Sequence, residues 1–320
     1  DCLLSRGLGD VYKRQPNHKR RVNPMQEADI RRTNLSQLLR RKRCLRVLEA
    51  HSPISALLAE QSRLERGSGP SLVYDAIWSS SLTDSTHKGL PDIEILSPSN
   101  RLHGIREIFD VCSLPMIFDG DTGGKAEHFA IHVKMLDRAG VSAVVIEDKC
   151  GLKKNSLFGN AVSQLQDSIE EFCEKIRVGC ANRSHEDLLI IARCESLILD
   201  KGMDDAIERC LAYVAAGADG IMIHSRKKDG LEILEFARLF RRHCPRVPLI
   251  CVPTSYAHLS FDELEGAGFN AVIYANHMLR SAYMAMRDVA VGILEHGRTL
   301  EVEPRCLGID EILDLVPGTR

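Results

Sequence analysis

The chain has 320 residues, 44% of them hydrophobic and 27% charged, with a formal net charge of −2. That length fits one large domain or two ordinary ones, and the near-neutral balance excludes a global field that would gather nucleic acid or a membrane surface. No apolar run is long enough to span a bilayer, and the 11 cysteines contain no CxxC pair, which argues against a zinc ribbon or disulfide framework and for a reducing, cytoplasmic setting.

The first 45 residues stand apart. Lys13, Arg14, Lys19, Arg20, Arg21, Arg31, Arg32 and the run Arg40–Arg43 make them strongly basic. Residues 1–42 therefore read as a solvated or disordered extension, with a nucleic-acid arm as the lesser alternative. Asp10-Val11-Tyr12-Lys13-Arg14-Gln15 resembles translated sequencing adapter, which makes Met25 the expected start. Residues 43–320 read as one catalytic domain.

From Arg46 onward, short apolar runs alternate with amphipathic stretches. Strands are expected at 46–50, 73–78, 115–118, 143–146, 188–192, 220–223, 248–252 and 271–274. Helices are expected between them, at 126–139, 163–178, 203–216 and 231–242 among others. In the third of these, Ala206, Ile207, Cys210, Leu211 and Val214 form a one-sided stripe. Gly140, Gly217 and Gly268 fall where helices need a left-handed end. Alternating strands and helices imply a parallel sheet, and eight such units imply a closed (β/α)8 TIM barrel, with a doubly wound open sheet as the alternative. The tail offers a long helix over 278–297 and a short one over 309–315.

In such a barrel, chemistry collects at the strands' C-terminal ends. Those ends carry Glu49 and His51, then Trp78-Ser79-Ser80-Ser81-Leu82, then Asp119-Gly120-Asp121. Glu147-Asp148-Lys149, Arg193-Cys194-Glu195, His224-Ser225, Thr254-Ser255 and Asn276-His277 follow. Fold stability does not ask for so many charges on one rim, so a shared active site is expected. Asp119, Asp121 and Glu147 are hard oxygen donors suited to Mg²⁺, or to Mn²⁺. Arg193 and His224 suit a phosphate or carboxylate. Backbone N–H groups in the turn Ser80-Ser81-Leu82 suit an oxyanion.

These residues, together with the EDK-x5-NS pattern Glu147-Asp148-Lys149…Asn155-Ser156, resemble the phosphoenolpyruvate mutase branch of the isocitrate lyase superfamily, from about Leu45 to about Leu315. The resemblance implies that Asp119, Asp121 and Glu147 hold Mg²⁺, partly through water, and that Ser80, Ser81 and Leu82 cradle a carboxylate or enolate oxygen. It implies that Arg193 and His224 bind a phosphoryl group, over which Lys153 and Asn155 close on a mobile lid. Trp78, Ser156 and Ser225 join the substrate site. Asp92 aligns with the mutases' catalytic aspartate, which either accepts the phosphoryl group covalently or orients it. The implied reaction interconverts phosphoenolpyruvate and 3-phosphonopyruvate, forming the C–P bond of phosphonate biosynthesis. A phosphonopyruvate decarboxylase would act downstream, because phosphonopyruvate lies uphill. The family's barrel swaps its last helix with a neighbour, so a homodimer or homotetramer is expected, with 278–297 as the swapped segment.

Phosphonopyruvate hydrolases share nearly all these residues and form the main alternative. The C–C lyases and oxaloacetate-cleaving relatives form another, but they require a loop cysteine in a K-[KR]-C-G-H run. Here Cys150-Gly151 has no following histidine and stands too close to Glu147. A non-enzymatic scaffold or RNA-binding barrel is disfavoured by the acidic rim. Ser52-Pro53 follows His51 where many relatives carry Asn-Gly, a departure that touches no assigned role.

Overall fold

Eight short parallel strands close on one another in the computed structural model, which describes residues 24–67, 69–316 and 318. In chain order they are β1 (Leu45–Glu49), β2 (Ala76–Ser79), β3 (Met116–Asp119), β4 (Ala143–Glu147), β5 (Leu189–Cys194), β6 (Gly220–Ile223), β7 (Leu249–Cys251) and β8 (Ala271–Tyr274). The barrel closes where Leu45 of β1 pairs with Ala271 of β8. The closed (β/α)8 reading therefore holds and the open-sheet alternative falls.

The side-chain period of two divides each strand between two cores. Leu45, Val47, Ala76, Ile117, Ala143, Val145, Ile191, Met222, Ile250 and Ile273 fill the interior. The alternate residues, such as Ile77, Phe118, Val144 and Ile190, meet the surrounding helices. These include α2 (Pro53–Gln61), α3 (Ser81–His87), α4 (Pro98–Val111), α5 (Ala126–Ala139), α6 (Ile169–Asn182), α7 (Met203–Ala215), α8 (Leu231–His243) and α9 (Phe261–Gly266). α5 stops at Gly140, whose φ of 87° no β-carbon-bearing residue adopts readily.

Three readings need correction. The helix expected over 163–178 starts only at Ile169, because Leu165–Gln166 pair with Lys149–Cys150 instead. Val73 is not part of a barrel strand: 69–73 pairs with 63–66 in an exposed hairpin, and β2 starts only at Ala76. Residues 24–41 are not a disordered extension but a helix, α1 (Pro24–Arg41), packed on the barrel. Ala28, Leu35, Leu38 and Leu39 form an apolar stripe beneath its charges, and Leu35 joins the interior cluster. The basic residues that suggested solvation are partly buried. Arg31 donates to the Phe109 carbonyl at 3.1 Å, and Arg32 pairs with Asp137 at 3.5 Å. Residues 1–23, including the adapter-like run, lie outside the described residues.

After β8 come α10 (His277–His296) and α11 (Ile309–Asp314). α10 contains no buried residue, and Tyr283, Met286 and Leu294 are mostly exposed along it. No helix among the described residues is long and apolar enough to cross a membrane.

Candidate active site

The alternation that fills the barrel interior also builds the site. Two residues beyond the inward-facing Ile117, Val145, Ile191 and Met222 come Asp119, Glu147, Arg193 and His224, one from each of four neighbouring strand ends. Glu147 and Arg193 are register partners, and their charged groups meet at 3.1 Å. Asp148, one residue out of phase, points the other way and accepts the Tyr213 hydroxyl of α7 at 2.6 Å.

Asp119 is held by the turn above it. Its Oδ2 accepts Ser81 N at 3.1 Å and Ser81 Oγ at 2.8 Å, so the first turn of α3 sits directly over the end of β3. Gly120 is required between the two acids: a Cβ there would lie 2.9 Å from both Val144 Cγ2 and the Val145 carbonyl oxygen. Asp121 then takes a left-handed φ of 56°, rare for a residue with a side chain, and donates its N–H to Asp119 Oδ1 at 3.3 Å.

The segment expected to form the lid runs from Lys149 to Gln166, and its two ends pair antiparallel at its base. Lys149 is buried and donates to the Lys154 carbonyl at 2.7 Å, Ser156 Oγ at 2.9 Å and Gln164 Oε1 at 3.0 Å. This gives the EDK-x5-NS pattern a physical meaning: its lysine and serine fasten the lid to the end of β4. At the lid's inner edge Lys153 Nζ reaches Asp92 Oδ1 at 2.6 Å, Ser81 Oγ at 2.7 Å, and Asp121. Asn155 Nδ2 donates to Asp92 Oδ2 at 2.9 Å while its Oδ1 accepts Leu157 N, which fixes the amide's orientation.

Across the barrel, Arg193 donates to Glu195 Oε1 at 2.5 Å and to Ser156 Oγ at 2.6 Å. Glu195 Oε1 also lies 3.5 Å from His224 Nδ1. That leaves His224 Nε2 buried with no hydrogen-bond partner among the described residues. Ser225 lines the same space, but its hydroxyl is committed to Glu232 at 2.7 Å.

Burial pushes the Glu147 carboxyl up to about 7, against the pull of Arg193 and Lys149. Burial likewise lifts Asp121 to about 6, while Lys153 opposes it. Asp119 is equally buried, yet Lys153, Arg193 and Arg101 together outweigh that and hold it down at about 2. Burial and the neighbouring Arg193 cation keep the His224 imidazole below its usual range, hence neutral. Neither oxygen of Glu147 accepts a well-aligned hydrogen bond among the described residues; Lys149 Nζ lies 3.2 Å from Oε1 and Arg193 Nη2 3.1 Å from Oε2 as ion-pair partners. Buried hard oxygens with unused hydrogen-bonding capacity beside Asp119 and Asp121 fit a divalent cation. Among the described residues no three Asp, Glu, His or Cys side chains converge closely enough to ligate one ion by themselves. The acids would therefore hold it largely through its water, as Mg²⁺ prefers.

A cavity of about 70 Å³ lies between these groups. Asp92 and every residue expected at the substrate, from Trp78 to Ser225, line it. Asp121 and Glu147 do not; they pair with Lys153 and Arg193, which do.

The family model described as phosphoenolpyruvate phosphomutase matches residues 35–294. The chain belongs to this family of enzymes. It is 38% identical over 275 residues to a phosphonopyruvate hydrolase of Variovorax sp. (strain Pal2), covering 85% of this chain and 90% of that protein. The crystal structure of a phosphoenolpyruvate phosphomutase from Streptomyces platensis subsp. rosaceus matches with a TM-score of 0.80 at 35% identity, over 89% of this chain and 94% of that one. A phosphonopyruvate hydrolase in complex with oxalate and Mg²⁺ matches with a TM-score of 0.78 at 36% identity, over the same shares. The phosphoenolpyruvate phosphomutase family thus offers mutases and hydrolases of comparable likeness.

Some of the machinery went unassigned in the sequence. Glu195 stands in the strand-end run, and its spacing of two from Arg193 was the available signal for a shared inward face. Thr254, Ser255 and Asn276 line the cavity and were visible as strand ends without a role. Arg101 carried no signal: it is one arginine on an amphipathic helix.

Proposed function

We propose that this enzyme is a Mg²⁺-dependent phosphoenolpyruvate mutase, interconverting phosphoenolpyruvate and 3-phosphonopyruvate. The observation that carries the reading is the double anchorage of the lid on Asp92 by Lys153 and Asn155. A mutase must retain both pyruvate enolate and a metaphosphate-like group while excluding water, and a lid seated on an acid of the cavity wall serves that need. Asp119, Asp121 and Glu147 would hold Mg²⁺, which when bound supplies charge stabilisation to the enolate oxygen. The first turn of α3, which Ser80 leaves without a side-chain cap, offers N–H groups to the same oxygen or to the carboxylate. Arg193 and His224, which line the same cavity, would bind the phosphoryl group, and Lys153 and Asn155 would cover it. Asp92, also in the lining, would orient the phosphoryl group or accept it.

Hydrolysis to pyruvate and phosphate is the second reading, favoured by the 38% identity to the Variovorax hydrolase. A C–C lyase is weaker still, because burial raises the Cys150 thiol rather than activating it. Turnover of phosphonopyruvate decides between the first two. Phosphoenolpyruvate as the product supports the mutase, and free phosphate from the first turnovers defeats it. The reading also carries a homodimer or homotetramer built through α10, a cytoplasmic setting and a downstream decarboxylase that draws phosphonopyruvate off.

A further inference from the structure

Arg101 belongs to none of the roles above and does not line the cavity. It sits in the opening turns of α4, the end of a helix where a cation is electrostatically disfavoured, and it is only 4% exposed. Burying a charge there is costly unless its donors are used. They are used almost completely. Nε donates to Asp84 Oδ2 on α3 at 2.9 Å. Nη2 donates to the Ser79 carbonyl at 3.1 Å and to Ser79 Oγ at 3.0 Å, at the end of β2. Nη1 donates to the Asp119 carbonyl at the end of β3 and lies 3.7 Å from Asp121 Oδ2. The guanidinium stacks on the Phe118 ring, 3.9 Å from its centroid.

One planar fork thus joins the last residues of two adjacent strands and the helix that follows the first of them. Those attachment points frame the contact between Ser81 and Asp119. Ser79 closes the frame by donating its hydroxyl to the same Asp84 oxygen that Arg101 binds, at 2.7 Å. We infer that Arg101 is a positioning residue: it locks the oxyanion turn and the Asp119–Asp121 pair into one rigid unit and so sets the site's affinity for a divalent cation. The inference rests on the reading of Asp119 and Asp121 as cation-holding acids, and not on the choice between mutase and hydrolase. Lysine at this position keeps the charge but cannot span three elements, because it lacks the fork.

The experiment is Mn²⁺ binding to the full chain, read by electron paramagnetic resonance, for wild type, Arg101→Lys, Arg101→Ala, Asp84→Asn and Asp119→Ala. Loss of outer partners of metal ligands typically weakens affinity by about 10–100-fold. We expect that range for R101K, a smaller loss in the same direction for D84N, and partial restoration of R101A by millimolar methylguanidinium. Wild-type affinity in folded R101K, with D119A abolishing binding, would overturn the inference and leave the metal reading standing. Equal binding by wild type and D119A would instead defeat the metal reading itself. Loss of the fold in both R101K and D84N would assign Arg101 to stability alone and overturn the inference.

Discussion

Lys153 Nζ lies 2.6 Å from Asp92 Oδ1, so a residue of the 149–166 segment is bound directly to an acid that lines the cavity. The same ammonium pairs with Asp121 and is strengthened by it, which holds the lysine charged even though burial opposes that charge. In the proposed reading, closure would therefore do two things at once: cover the substrate space and neutralise Asp121, an acid assigned to the metal. Removing a donor of this kind typically costs about 100-fold or more in kcat. Lys153→Met should fall by at least that factor in steady-state turnover of phosphonopyruvate, with an unchanged circular dichroism spectrum. Activity within a few-fold of wild type would defeat the assignment.

Asn155 offers a finer test, because it seals the lid without carrying charge. Asn155→Ala removes the 2.9 Å contact with Asp92 and should admit water. In a mutase, the ratio of phosphate to phosphoenolpyruvate formed from phosphonopyruvate should rise, as followed by phosphorus NMR. An unchanged ratio with lower total rate would mean that Asn155 binds substrate but does not exclude solvent.

Asp119 anchors the acidic pair under α3. Asp119→Ala should remove Mg²⁺-dependent activity and leave the fold intact, since its carboxylate bonds only the Ser81 turn and the Asp121 N–H among the described residues. Turnover that persists at the wild-type level would refute the metal assignment.

His224 predicts a pH dependence of stability. Burial and Arg193 lower its folded-state value, while the unfolded imidazole titrates near its usual value of about 6.5. Below about pH 6.5 the unfolded chain takes up a proton that the folded chain resists, so this contribution is intact above that pH and is lost as pH falls through the lowered folded value. Urea melts between pH 7 and pH 5 should show wild type losing stability faster than His224→Gln. Parallel slopes would show that the imidazole is not held neutral.

The exposed face of α10 predicts an oligomer. Tyr283, Met286 and Leu294 are 63%, 61% and 84% exposed on a helix with no buried residue. Apolar side chains gathered on one element in this way mark an interaction surface. Light scattering should give a dimer or tetramer, and Met286→Glu with Leu294→Glu should shift it toward monomer. A wild-type monomer at micromolar concentration would remove this part of the reading.

The barrel was legible because its strands are apolar runs of regular spacing, and most site residues were legible because they follow inward-facing apolar positions by two. Ile117 to Asp119 and Val145 to Glu147 show the pattern directly. Residues 24–41 were misread because composition dominates a local reading: the charges of Arg31 and Arg32 concealed the stripe of Ala28 and Leu35. Lys149 was legible as part of a motif, but not as the lid's anchor, since its acceptors at 154, 156 and 164 come together only through a fold-back. Glu195 was marked only by its spacing of two from Arg193, while Arg101 acts through contacts made across elements, which no local pattern encodes.

Gly120 sets a boundary on how this site can diverge. With Val144 and the Val145 carbonyl both 2.9 Å from where a side chain would begin, relief would have to come from the backbone of β4 itself. Asp119 and Asp121 can each be exchanged in one step, testing new ligands or new charge. The separation between them cannot drift, because the position that spaces them admits no side chain. Substitution at this site is therefore open at the acids themselves and closed at the residue between them.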